Sequence, residues 1–332
     1  MKSYLRSKLP PKIWQGIVST KAQTMYMVEF MSSLVSGKRD IRLRALKRLG
    51  IRFVTVPVNN YRMKIDLRDT IISKWLYLYG CWEPYESGLM KELLQPGMIV
   101  VDVGAHIGYY SILAATSIGH DGHVYSFEPA PENYGLLTSN VEINRLIESI
   151  TAENAAVLDD ASETRLYLSS YNTGDHRIYQ TDPIDDNIFN AGQSRKDLMS
   201  IPAVRIDDYL GELGVSKVDM VKIDVQGAEM GVLLSARETL RRNPSLVLFI
   251  EYWPHGLMLC GTDPSTLLTF LTKDLGFALY LIDSEQRQLN EIVDPILFAA
   301  QACTEDPSVQ IDLLACRSRD TIDALTSLGT PI

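Results

Sequence analysis

Four cysteines in 332 residues (Cys81, Cys260, Cys303 and Cys316) lie far apart, and no two of them form a CxxC pair. Neither a zinc knuckle nor a disulfide scaffold is therefore expected, no residue is assigned as a metal ligand, and the thiols read as those of a reducing compartment. No apolar run approaches the roughly 20 residues of a membrane span. The N-terminus carries Lys and Arg but no apolar stretch of signal-peptide length, so a cytoplasmic protein without a transmembrane segment is the expectation. A basic surplus is also missing. Thirty-two Lys and Arg against 41 Asp and Glu give a net charge of −9, which argues against a nucleic-acid partner, because neutralising many phosphates takes an excess of cations. There is no internal repeat and no low-complexity linker. What is present is ordinary globular material, 46% hydrophobic and 22% charged, in a chain long enough to bury a core without staples.

One tract departs from that balance. Lys38–Arg52 (KRDIRLRALKRLGIR) is densely basic, and it reads either as the solvated face of an amphipathic helix or as a contact with an anionic membrane or a phosphate-bearing substrate. Around it, apolar residues at helical spacing (Ile13, Trp14, Ile17, Met25, Val28, Met31) predict helices across residues 1–50. The alternation in Ile51–Leu67 predicts a hairpin turning at Asn59-Asn60. From about residue 98 the rhythm changes. Short Val/Ile/Leu runs alternate with helical patterns, in order MIVVDV, HVYSF, ITAENAAV, VDMVKID, LVLFIEY, FALYLID and VQIDLLACR. Such a series predicts an α/β fold, a mostly parallel seven-stranded sheet with helices on both faces. The last two strands follow each other with no helix between them, which predicts an antiparallel strand at the sheet edge. The chain divides accordingly into a largely helical extension with the hairpin (1–78), the α/β domain (79–320) and a short tail (321–332). The N-terminal helices are the candidate contact for an oligomer.

In such sheets ligands bind at the carboxyl ends of the strands. The first strand of the series ends in Asp102-Val103-Gly104-Ala105-His106-Ile107-Gly108. Gly104 permits a sharp turn, Gly108 permits a close helix start, and that helix start offers N–H groups to an anionic group. The second strand ends at Glu128, a position suited to the two hydroxyls of a ribose. A nicotinamide-binding GxGxxG loop would need its second glycine where His106 stands, so that reading is set aside.

Residues from about Gly80 to Arg317 resemble the FkbM family of methyltransferases. The resemblance is carried by YGCWEPYESGLMKELLQPGMIVVDVGAHIGYYS, YSFEPAPENYGLLTSNVEIN, YNTGDHRIY, VDMVKIDVQGAEMGVL and IDLLACR. It implies a class I, Rossmann-like methyltransferase fold, S-adenosylmethionine as cofactor, and O-methylation of a hydroxyl on a sugar, glycan or natural product. By the same resemblance Asp102, Gly104 and Gly108 serve the methionine end, Glu128 the ribose, and Asn154 and Ala155 the adenine, with Ala105, His106 and Tyr110 as further cofactor-binding positions. Glu83 either lines the site or is a surface ion-pair partner. The family usually has Asn at the position of His106 and Glu at that of Gln226.

Removing a proton from an acceptor hydroxyl calls for a base or a metal. Asp224 and Glu251 end the fourth and fifth strands, and His255 and His176 lie on loops at the same end, so these four are the catalytic candidates. Asp224 also reads as a cap for the helix that follows. A divalent metal held by the two carboxylates is the less favoured route. Asn172–Arg177, with Tyr252 and Trp253 as apolar faces, reads as a saccharide surface or as a turn held by its own side chains. A small-molecule or glycan acceptor is the expected partner. The alternatives are a methyltransferase acting on protein or lipid, and a non-catalytic module that keeps the cofactor fold.

Overall fold

The structure, a computed structural model, describes residues 38–160, 163–169, 172–179, 197–303, 306–318, 321–322 and 325. The helices expected over residues 1–37 and most of the expected tail lie outside them. The first described element is a helix over residues 38–48, α1. The hairpin follows as β1 (Phe53–Val58) and β2 (Tyr61–Asp66), antiparallel, with Val58 opposite Tyr61. The intervening Asn59-Asn60 is the expected two-residue turn, and Asn59 adopts a φ of 49°, a conformation that Asn tolerates better than most residues. The period-2 pattern buries Tyr61, Met63 and Ile65 on one face of β2. That face shares a core with Val100, Ile112 and Val124 of the following domain.

Two helices, α2 (Ile72–Tyr79) and α3 (Pro84–Leu93, with Pro84 in its first turn), lead to the main sheet. There the chain runs β3 (Ile99–Val103), α4 (Tyr109–Ile118), β4 (His123–Phe127), α5 (Pro131–Ile143) and β5 (Ile150–Glu153). A side sheet of β6 (Ala156–Val157), β7 (Glu163–Leu168) and β8 (Asp197–Val204) follows. The chain returns through α6 (Ile206–Glu212), β9 (Met220–Ile223), α7 (Glu229–Ser235), α8 (Arg237–Arg242) and β10 (Val247–Tyr252). It ends with α9 (Pro254–Leu259), α10 (Pro264–Thr269), β11 (Ala278–Asp283), β12 (Gln288–Glu291), α11 (Pro295–Ala302) and β13 (Ile311–Cys316).

The main sheet is ordered β12-β11-β13-β10-β9-β3-β4-β5, with β5, β4, β3, β9 and β10 mutually parallel. Its two faces explain the continuous apolar runs. Val101, Val103, Leu248 and Ile250 point into one core, whereas Val100, Val247 and Phe249 point into the other. The expected class I architecture is present, with two differences at one end. The antiparallel strand β13 sits between β10 and β11 rather than at the edge. The segment between β11 and β13 is not bare, since it forms β12 as an eighth strand and then α11. The sequence of β12, QLNE, is polar and nowhere fully buried, so it carries no apolar period to read.

Asn140 of α5 fixes the hairpin to this body. Its Oδ1 accepts the Lys64 N–H (2.6 Å), and its Nδ2 donates to the carbonyls of Lys64 (3.1 Å) and Ile107 (2.9 Å). One buried amide thus joins β2, α5 and the loop after β3.

Candidate active site

Crossovers between parallel strands leave a crevice where the order reverses, here between β3 and its neighbours β4 and β9. The loop after β3 closes tightly over this point. Gly104 and Ala105 both donate N–H to the Phe127 carbonyl at 3.0 Å. Gly104 has a φ of +79°, and a Cβ there would stand 1.9 Å from the Asp224 carbonyl oxygen. Only glycine lets the ends of β3 and β9 approach so closely.

His106, in left-handed conformation at a φ of 51°, donates its N–H to Glu128 Oε2 (2.8 Å), while Glu128 Oε1 accepts from Ala130 N–H (2.8 Å). Asn154 Nδ2 donates to the carbonyls of Glu128 (2.8 Å) and Pro129 (3.0 Å), so it shapes the strand end from behind. Burial pushes the Glu128 carboxyl up to about 7, against the pull of those two N–H donors. Burial also holds the His106 imidazole down to about 4, so its ring is neutral at physiological pH. The crevice, open to solvent, is bordered by Gly104, His106, Glu128, Ala155, His176 and Asp224. Pro129, Val157, Leu158 and Ile178 give it apolar walls. Its mixed lining suits a ligand with one flat apolar end.

Beneath the loop, Asp102 Oδ2 accepts from Ser111 Oγ (2.6 Å), which in turn accepts from Ser126 Oγ (2.9 Å). Asp102 Oδ1 is buried and has no hydrogen-bond partner. A buried carboxylate oxygen left so costs about 1–3 kcal/mol or more, and a cationic or N–H-bearing ligand group would relieve it.

The segment Asn172–Tyr179 roofs the crevice. Thr173 Oγ1 shares a hydrogen bond with His106 Nε2 (2.9 Å), and its carbonyl accepts from Asn133 Nδ2 (2.8 Å). His176 Nδ1 accepts the Ser169 N–H (3.0 Å), and the Tyr179 hydroxyl donates to the Gln226 carbonyl (2.9 Å). Asp175 and Arg177, 2.7 Å apart, are buried, and the guanidinium lies 4.4 Å from the Trp253 ring centre. This corrects one expectation. Tyr252 and Trp253 are both 0% exposed, so neither presents a face to a sugar ring; the ring of Trp253 is already covered by Arg177.

A second, smaller cleft of about 320 Å³ opens beside the first, and Asp224 borders both. Glu83, Glu86, Tyr110, Lys222, Glu251 and Asp312 line it. Glu83, at a φ of 41° just ahead of α3, accepts from the Tyr110 hydroxyl (2.7 Å). Tyr110 therefore belongs with Glu83 at this cleft, one helical turn from the crevice where it was expected. Glu251 and Asp312 are register partners on β10 and β13. The Gln226 amide donates to both Asp224 Oδ1 (3.0 Å) and Glu251 Oε2 (2.7 Å), and Lys222 Nζ lies 3.4 Å from Asp224 Oδ2. A neutral double donor thus stands between two carboxylates, where a Glu would add a third like charge. Burial, together with Glu83 and Asp312, raises the Glu86 carboxyl, which hydrogen-bonds Ser284.

Sequence reasoning missed Glu86, Lys222 and Asp312. The first two had a signal, since Glu86 lies one turn beyond Glu83 and Lys222 lies two residues before Asp224, on the same face of its strand. His255 borders neither cleft; it starts α9 with its ring 6.1 Å from that of Trp253. Asp224 does not cap the next helix through its side chain. No side chain caps that helix; Glu229, fully buried in its first turn, accepts the Gly227 N–H through Oε1 (2.9 Å).

Burial raises Glu229 to about 7, as it does Glu128. A carboxyl whose pKa rises on folding stabilises the fold below its unfolded value of about 4.3, and that contribution is lost as pH climbs through the folded value. The thermal midpoint of wild type is therefore expected to fall between about pH 4.5 and about pH 7 by more than that of Glu229→Gln, measured by scanning calorimetry. Parallel losses in the two proteins would refute this.

Among the described residues no group of three or more His, Cys, Asp and Glu is arranged to hold a metal ion, and no helix is long and apolar enough to cross a membrane. The family described as the methyltransferase FkbM domain matches residues 102–279, more than half of the chain. The 31-O-demethyl-FK506 methyltransferase FkbM of Streptomyces tacrolimicus is 28% identical over 164 residues, covering 44% of this chain and 62% of that protein. The hexuronic acid methyltransferase AglP of Haloferax volcanii is 25% identical over 185 residues, covering 56% of this chain and 66% of that one. The chain thus spans less than two thirds of either relative. Among solved structures, precorrin-6y C5,15-methyltransferase from Geobacter metallireducens superposes with a TM-score of 0.38 at 14% identity, covering 71% of this chain and 88% of that one.

Proposed function

This chain belongs to the FkbM family of S-adenosylmethionine-dependent methyltransferases, and we propose that it methylates a hydroxyl of a sugar, glycan or natural product. The observation that carries this reading is the position of Asp224, whose carboxylate borders both the large crevice and the acidic cleft. S-adenosylmethionine, when bound, supplies an electrophilic methyl group on a sulfonium. The residues present fit it. Glu128 suits its ribose hydroxyls and the Pro129, Ala155 and Leu158 walls its base, while Asp102, whose Oδ1 lacks a partner among the described residues, lies directly beneath the loop.

The acidic cleft would then receive the acceptor. Its carboxylates accept hydrogen bonds from hydroxyls and fix the reacting oxygen in orientation, which is the larger part of such catalysis. Asp224 takes the hydroxyl proton, and the Gln226 amide holds its Oδ1 while leaving Oδ2 beside Lys222. Glu251, held by the same amide, aligns Asp224 from behind. The hydroxyl acceptor is consistent with the names of relatives, a 31-O-demethyl-FK506 methyltransferase and a hexuronic acid methyltransferase.

The deciding experiment is transfer of labelled methyl groups from S-adenosylmethionine to fractionated glycans, small metabolites, lipids and proteins. Label is expected in a glycan or small-metabolite fraction as an alkali-stable ether; label confined to protein or lipid would overturn the assignment. Complete chelation with EDTA is expected to leave turnover within about twofold, because Asp224 acts as the base itself. A loss restored by magnesium would assign the acidification to a metal instead.

A further inference from the structure

The basic tract takes no part in either cleft. Residues 1–52 contain twelve Lys and Arg against two acidic residues, Glu29 and Asp40, for a net +10. Since the whole chain carries −9, the remaining 280 residues carry −19. With charge so divided along the sequence, the basic part is drawn to an anionic partner while the rest is repelled.

The helix α1 shows how the described part of that region is displayed. Leu43 is buried in the core, and Arg39 donates to the Leu78 carbonyl (2.8 Å), so the helix is fixed to the body. Its other basic side chains, Lys38, Arg42, Arg44, Lys47 and Arg48, are exposed. Large apolar residues are exposed among them: Ile41 at 70%, Leu49 at 77%, Ile51 at 41% and Phe53 at 39%. Nucleic acid would pair with the cations but offers its phosphates nothing to bury aliphatic chains against. The interface of a lipid bilayer takes both, with cations at the anionic headgroups and apolar side chains at the acyl boundary.

We propose that the face formed by residues 38–53 is a peripheral docking surface for an anionic lipid bilayer, which seats the enzyme on a membrane without spanning it.

The test is flotation of the full-length protein with vesicles of phosphatidylcholine, alone or with about a third phosphatidylglycerol, at low and high salt. Binding is expected only to the anionic vesicles, weakening at high salt. The triple reversal Arg42→Glu, Lys47→Glu, Arg48→Glu should cut partitioning at least tenfold, and Ile41→Ser with Leu49→Ser should weaken it at unchanged charge. These side chains are exposed, and an unaltered thermal midpoint with and without S-adenosylhomocysteine would show that both variants fold. Equal binding to neutral vesicles, or none to either kind, overturns the proposal. So does binding of RNA, or self-association, that the triple reversal abolishes while anionic vesicles remain unbound.

Discussion

Asp224→Asn is expected to lower turnover by about 10²–10⁴-fold, the range for losing a positioned base, while S-adenosylhomocysteine affinity stays within about threefold. The split follows from where the carboxylate stands. Asp224 is a residue common to the crevice and the acidic cleft, and Asn retains an oxygen for the Gln226 amide that holds it. Asn cannot take up a proton. Isothermal titration for the cofactor product, set beside single-turnover methyl transfer for the chemistry, separates the two. Equal losses in affinity and rate would make Asp224 a binding residue, and wild-type turnover would remove it from the reaction.

Gly104→Val should have the largest effect on the fold itself. A Cβ there meets the Asp224 carbonyl at 1.9 Å, from a backbone at φ +79°. Strain in the left-handed region costs about 1–3 kcal/mol, and overpacking about 1–3 kcal/mol more. Against a total stability of about 5–15 kcal/mol, a loss of about 2–6 kcal/mol removes a large share. Cofactor binding should vanish with it, because relief requires the ends of β3 and β9 to part. Gly119→Ala is the control, since nothing lies within 4 Å of a Cβ there despite a φ of +72°; it should show the backbone penalty alone. Denaturant unfolding of the two variants measures the difference, and comparable losses would refute the steric argument.

The parts of the molecule that were legible in the sequence are those with local causes. Strands buried on both faces are apolar at nearly every position, so β3, β9 and β10 announce themselves, each with a single Asp, Lys or Glu (Asp102, Lys222 and Glu251). Gly104, Gly108 and Glu128 are legible because a turn, a close helix start and a strand-end carboxylate each demand particular residue types. What stayed hidden depends on long-range pairing. No local pattern says that β13 inserts between β10 and β11, or that polar β12 extends the sheet. The acidic cleft adds Glu86, Lys222 and Asp312, from three elements, to the expected Glu251, and each of the three alone reads as a surface residue or a strand residue. Trp253 shows the converse error. An aromatic residue at a strand end looks the same whether its face is open or covered, and the cover, Arg177, comes from the distant roof segment.

The Asn140 clamp bears on where this protein begins as a folding unit. The recognisable family region starts at residue 102, yet the amide joins Lys64 of the hairpin to the carbonyl of Ile107 inside the glycine loop. Hairpin and loop should therefore open together, as one cooperative block in hydrogen exchange. A chain cut at residue 79 would lose Met63 and Ile65 from the core and leave the loop unbraced. The heritable signature is thus shorter than the object that must be made for it to work.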